Sequence, residues 1–176
     1  MGRVNKSWMA AVAAALLLGT LAGVVWARPN DRPQAADITR KVTLTGADFA
    51  PNQDGMDSYN YGGHVYCNAV ECTFTAPIVF PCLPAVTVER IQLHVDDDNA
   101  SATASAGIWR ANPSTGAETF WGSVASTVPT SGGIKTYTSA DINKVVWPSQ
   151  RAYIWLQING TDITVYGVTV EYHRNI

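Results

Sequence analysis

The sequence predicts an all-β fold: an antiparallel β-sandwich, jelly-roll-like, with eight to ten strands. Three observations carry this. From residue 37 onward apolar and polar residues alternate with period two, and turn residues break the alternation every ten or so positions. No stretch after the leader repeats apolar side chains at i, i+3, i+4 and i+7 over helical length. That many strands suits two packed sheets better than a small barrel, and no Cys…Trp…Cys spacing supports an immunoglobulin-type sandwich.

Taken in order, residues 1–27 read as a signal peptide. "MGRVNKSW" carries Arg3 and Lys6, "MAAVAAALLLGTLAGVVW" follows without a charge, and Val25 and Ala27 supply the small residues before a cleavage site. The product is therefore expected outside the cell. The apolar run is almost long enough to span a bilayer, so the alternative is an uncleaved N-terminal segment that tethers the protein to the membrane. No membrane span is expected after leader cleavage. Residues 28–36, "RPNDRPQAA", are polar, proline-bearing and without period, as an extended linker is. Residues 37–176 form the single domain, long enough to bury a core.

Within it, "KVTLTGADF", "GGHVYC" and "CTFTAPIVF" supply the first strands. "AVTVERIQLHV" puts Val86 and Val88 on even positions but Ile91, Leu93 and Val95 on odd ones, with a slip near Glu89-Arg90. Asp96, Asp97, Asp98 and Asn99 then mark a turn, since such side chains accept their own backbone amides. "ATASAGIWR" places Ala104, Ala106 and Ile108 on one face, small enough for close approach of a second sheet. "NPSTG" turns into "AETFWGSVAS", where Phe120 and Gly122 oppose Trp121 and Val124. "PTSGG" turns again, and "IKTYTS" and "INKVVWP" are short strands. In "RAYIWLQINGTDITVYGVTVEYH", Ala152, Ile154, Leu156 and Ile158 share one face and Tyr153, Trp155 and Gln157 the other. Asn159-Gly160 reads as the centre of a type I′ hairpin turn. Beyond it the apolar parity changes between Val165 and Val168, which predicts a β-bulge at Gly167.

Composition excludes one class of partner. Residues 1–27 hold two of the basic residues and no acid, so cleavage takes the net charge from −2 to −4. The lysines left are Lys41, Lys135 and Lys144, scattered and too few for a nucleic-acid face. Three cysteines, Cys67, Cys72 and Cys82, are an odd number for an oxidising compartment. We favour Cys67 with Cys72, because "CNAVEC" can close a short hairpin; Cys82 is then spare, inert or available to a second chain.

No cofactor is expected, with Ca²⁺ at Asp96, Asp97 and Asp98 as the one metal alternative, on oxygen ligands that lack the EF-hand spacing. Zinc on His64, Cys67 and Cys72 matches no common spacing and competes with the disulfide. His94 reads as a polar-face residue. No G-x-S-x-G elbow and no phosphate loop is present. A hydrolase would have to pair Asp97 with Glu118.

The aromatic residues point further. Tyr59, Tyr61, Trp109, Trp121, Tyr137, Trp147, Tyr153 and Trp155 are many for one small domain. Tyr153 and Trp155, opposite Ile154 and Leu156, form a candidate ligand-binding row with Trp109. Exposed rings stack on sugar faces, which implies a polysaccharide or cell-surface component as partner. The same rings, or the strand edges, or Cys82, could join copies of the chain instead. "NAS" at 99–101 and "NGT" at 159–161 are formal glycosylation sequons, and the second is explained by its turn.

"FTAPIVFPCLPAVTVERIQLHVDDD", "AGIWR", "YIWLQI" and the ending "YGVTVEY" together resemble a loose group of small, uncharacterised secreted bacterial β-sandwich proteins, over roughly residues 41–173. The chain departs from that group at Leu83-Pro84-Ala85-Val86, where a glycine often follows Leu-Pro, and in adding Cys82. The resemblance implies a sandwich with no assigned activity and brings no catalytic or binding residues with it. The sequence thus points to a secreted, non-catalytic module that acts by surface binding.

Overall fold

The computed structural model describes residues 38–52, 58–61, 63–80, 85–127 and 133–175. The chain divides into two units, Met1–Ala36 and Asp37–Ile176. The first unit, with the expected leader and linker, lies outside the described residues, as does Cys82. Among the described residues no helix is long and apolar enough to cross a membrane.

The domain is two antiparallel sheets. Sheet A holds β1 (Arg40–Thr45), β3 (Ser58–Tyr61), β4 (His64–Cys67), β6 (Ala85–Asp97), β9 (Lys135–Thr138), β10 (Lys144–Val146) and β12 (Ile163–Asn175). Sheet B runs β2 (Ala50–Pro51), β5 (Glu71–Ile78), β11 (Arg151–Asn159), β7 (Thr103–Ala111), β8 (Glu118–Ala125). The described residues form twelve strands; without the fragments β2 and β10, ten remain, within the expected range. The two 13-residue strands β6 and β12 form the centre of sheet A. Their other edges are each shared by two short strands, β9 and β10 along β6, β1 and β4 along β12.

The core lies between the sheets, on the faces the alternation foretold. Ile154, Leu156 and Ile158 of β11 and Ala104, Ala106 and Ile108 of β7 are fully buried against Ile91, Leu93 and Val95 of β6 and Val165, Val168 and Val170 of β12. Each large aliphatic side chain so buried contributes about 1.5–3 kcal/mol. The alanines let the facing sheet come close.

Both expected irregularities are present. Glu89 has no partner on β12, where the register steps from Glu171↔Arg90 to Tyr172↔Val88. A second shift leaves out Tyr166 between Val165 and Gly167. Gly167 is needed there: its φ is +158°, and a Cβ at this position would collide with the Leu44 carbonyl of β1.

Two local readings are corrected. Asn159-Gly160 is not a type I′ hairpin. β11 and β12 belong to different sheets, so the segment crosses the sandwich, and positive φ occurs at Gly160 and Asp162 but not at Asn159. The Cys67–Cys72 disulfide forms as expected, yet it does not span a hairpin ladder. β4 lies in sheet A and β5 in sheet B, so the bond ties the two sheets together where the chain passes between them.

Candidate functional site

The outward residues of sheet B build one surface. Strand register places Tyr153 between Pro77 and Trp109, and Trp109 opposite Phe120. One step along, Trp155 lies between Thr75 and Gly107, with Ser123 beyond. The next row is Thr73, Gln157 and Ser105, and the last holds Glu71, Asn159 and Thr103. An aromatic half therefore continues into a half of hydroxyls, amides and one carboxylate. The structure brings Tyr153, Trp155 and Trp109 together on one face, Tyr153 and Trp155 by the parity of β11 and Trp109 by its register on β7.

Phe120 joins them because β8 bulges. Between Ile108↔Gly122 and Trp109↔Phe120 the partner strand skips Trp121. The extra residue turns Phe120 outward, 49% exposed, while Trp121 packs against the core and Gly122 faces Ile142. The Trp109 and Phe120 ring centroids are 5.2 Å apart and tilted by 55°, within the range of favourable aromatic pairs. Gly107 forms the floor between them. A Cβ built there would stand 3.2 Å from Phe120 Cε2, which would have to give by a few tenths of an ångström, and in ordinary contact, 3.7 Å, with Trp109 Nε1.

Polar contacts fix the rim. The Tyr153 pKa is pushed up to about 12, first by burial and then by the neighbouring Glu118 carboxylate. Gln157 Nε2 donates to Glu71 Oε1 (2.6 Å) and to Asn159 Oδ1 (3.2 Å). Thr75 Oγ1 donates to Asn52 Oδ1 (2.8 Å).

The outer face of sheet A has a smaller ring group, His64 with Tyr66 and Tyr166, and is otherwise charged and polar. Lys41, Glu171, Arg90 and Asp141 form a chain of ion pairs. His94 bonds Thr136 through Nδ1 and Thr169 through Nε2, and Thr169 meets Thr43. Burial, then the Lys41 charge, lowers the His94 pKa from its ordinary 6.5. His94 is thus the polar-face residue the alternation implied.

The three aspartates do not converge. Asp96 and Asp97 end β6, so their side chains leave on opposite faces. Asp97 is 1% exposed and accepts hydrogen bonds from Ser126 Oγ (2.8 Å) and the Asn99 amide (3.3 Å). Asp96 accepts from the Gly133 amide (3.2 Å). The turn itself is built by Asn99, whose Oδ1 takes the Ser101 amide. Among the described residues no three His, Cys, Asp or Glu side chains gather as metal ligands would. Asp97 and Glu118 are also far apart. Asp97 meets Ser126, which accepts the Ala104 amide at the start of β7, whereas Glu118 pairs with Ala111 at its end. Seven residues of strand are about 24 Å, against about 5–9.5 Å for a glycosidase pair. This geometry removes the hydrolase alternative built on those two acids.

No protein-family model matches the chain, and no curated protein matches it. Solved structures similar to it include the C-terminal CBM6 of LamC, a marine laminarinase from Zobellia galactanivorans, at 14% identity and TM-score 0.49, covering 74% of this chain and 98% of that one. The xylan-binding module CBM15 is 18% identical, with TM-score 0.46, over 80% of this chain and 99% of that one. A carbohydrate-binding module of Cellvibrio mixtus lichenase 5A, in complex with cellotriose, is 13% identical, with TM-score 0.39, over 77% and 98%. All these scores fall below 0.5, so the likenesses carry no argument for this chain.

Sequence reasoning missed Phe120 and Gly107 as parts of the surface. The available signal was the run of two adjacent aromatics, Phe120-Trp121, which cannot both face one side of a regular strand.

Proposed function

We propose that this chain is a non-catalytic binding module that holds a glycan on the outer face of sheet B. The arrangement of Tyr153, Trp155, Trp109 and Phe120 around Gly107, beside Thr73, Thr75, Gln157 and Asn159, carries the reading. Rings offer apolar faces to the C–H side of a pyranose, and the amides and hydroxyls meet its equatorial oxygens. The row from Tyr153 to Asn159 extends about 20 Å, enough for several sugar units. Because the rings stand on paired strands, little order is lost when a ligand binds. The module is read as exported by residues 1–27, which suits an extracellular polysaccharide as partner.

Retention on a panel of insoluble polysaccharides tests this, with Trp155→Ala as the comparison. A sugar ring that covers roughly 70 Å² of indole contributes about 1.8 kcal/mol, or about twenty-fold in Kd. We expect retention on at least one polymer and its loss in Trp155→Ala. No retention on any polymer, or equal retention by the variant, would overturn the reading.

A further inference from the structure

A second feature lies at the end of the same row. A cleft of about 240 Å³ opens where β5 and β11 meet the turn after β10, among residues that include Pro77, Val79, Phe80, Trp147, Gln150 and Arg151. Pro77 and Arg151 belong to both places, since Pro77 pairs with Tyr153 and Arg151 begins the outward row of β11. The cleft therefore continues the aromatic surface around the end of the sandwich.

Its walls are apolar and its aromatic residues are held. Trp147 is 56% exposed, on a turn pinned twice: the Gln150 amide donates to the Trp147 carbonyl (2.9 Å), and the Trp147 amide donates to Gln150 Oε1 (3.2 Å). Pro148 sits inside that turn and restricts it further. Phe80 is fixed edge-on against the core residue Tyr172, with centroids 5.0 Å apart. Among the described lining residues the only charge is Arg151, which enters no ion pair with another described residue.

We infer that this cleft is a subsite for an acidic sugar, a pyranose that stacks on Trp147 and sets its carboxylate on the Arg151 guanidinium. For the longer chain to which that sugar belongs, the inference rests on the glycan reading of sheet B. An acyl chain or apolar peptide would cover Arg151 without satisfying it. A neutral sugar would give it only neutral acceptors, whereas a carboxylate matches the guanidinium fork with two charge-assisted bonds. The small net negative charge of the chain does not oppose this, because charges beyond about 8 Å are screened at physiological ionic strength. Glu118, the acid nearest in register, is two strands away, about 10 Å.

The test follows the assigned indole N–H resonances during titration with trigalacturonate and with neutral galactotriose, in the wild type, Arg151→Gln, Trp147→Ala and Trp155→Ala. We expect the Trp147 resonance to move with the acidic trisaccharide. Arg151→Gln and Trp147→Ala should weaken that binding about tenfold and leave galactotriose within about twofold. Trp155→Ala should retain the Trp147 response. A Trp147 resonance unmoved by trigalacturonate at about 10 mM overturns the subsite; if Trp155 still responds, the sheet B reading stands without it. Movement of Trp147 alone supports the subsite and counts against sheet B. An equal Trp147 response to both sugars overturns the assignment of charge.

Discussion

Reduction of the Cys67–Cys72 bond should lower stability by a calculable amount. The bond closes a loop with a sequence separation of 5. In the chain-entropy model, a loop of about six residues removes about 7 cal/mol/K from the unfolded ensemble, or about 2 kcal/mol at 25 °C. The unfolding entropy of a domain of about 140 residues is about 0.3 kcal/mol/K, which converts the loss into about 7 °C of Tm. Reduction is a better perturbation than substitution, because both sulfur atoms stay and no cavity is cut. Cys67 and Cys72 are 1% and 0% exposed, so reductant has no access while the fold is closed. The bond should therefore survive dithiothreitol under native conditions and yield only in urea. The assay is thermal unfolding by circular dichroism, after unfolding and refolding with and without reductant. A shift below about 2 °C would show that the entropy of so short a loop is not what the bond supplies. Rapid reduction in the native state would contradict the burial of the pair.

Three further outcomes follow from particular residues. Gly167→Ala should cost at least about 2 kcal/mol, measured by urea unfolding, because its Cβ would push β1 off β12 at Leu44. Gly116→Ala is the control: its φ is +69° but nothing lies within 4 Å, so only about 1 kcal/mol should be lost. One phenol should ionise near pH 12, seen as the absorbance difference between wild type and Tyr153→Phe, and Glu118→Gln should bring it down. Since the unfolded chain releases that proton near 10.0, the contribution to stability is complete below pH 10.0 and lost as pH rises through about 12. His94 acts in the opposite direction. Its folded pKa is depressed below 6.5, so its contribution is present above pH 6.5 and lost as pH falls through the folded value. His94→Gln should flatten that acid slope in denaturant titrations between about pH 5 and 7.

What the sequence made legible was parity. Alternation along β11 separated Ile154 and Leu156 from Tyr153 and Trp155, and breaks in the alternation of β6 and β12 located the bulges at Glu89 and near Gly167. These are local facts, fixed by neighbours along one strand. Which strand pairs with which is decided by distant residues, and there local signals mislead. Asn159-Gly160 has the composition of a hairpin turn, but β11 is paired by β5 and β7 on its two sides, so β12 has no place beside it. Asp97 looked like turn chemistry because it stands next to Asp98 and Asn99. The register carries β6 one position further, and Asp97 points inward to Ser126, 29 residues away in sequence.

The two outer faces show why the aromatic residues on sheet B are hard to read as ordinary surface. Sheet A covers its outer side largely with ion pairs and a threonine–histidine chain, beside a smaller ring group of His64, Tyr66 and Tyr166. Sheet B sets four large rings side by side on one face, Phe120 half exposed and Trp109, Tyr153 and Trp155 partly buried, where single scattered apolar residues would be unremarkable. The chain also gives up regular pairing at Trp121 to turn Phe120 toward them, although a regular strand would have buried the Phe120 ring and left Trp121 outside. The same exchange packs the Trp121 ring against the core. Gly107, a residue that weakens a strand interior, lies under the Phe120 and Trp109 rings, where a Cβ would press on the Phe120 edge. If the rings had no binding role, Phe120→Ser with Gly107→Ala should be neutral or stabilising, since the pair removes an exposed ring and adds strand propensity. Stability kept together with lost polysaccharide retention would separate the purpose of this surface from the needs of the fold. Lost stability would show instead that the rings hold sheet B together.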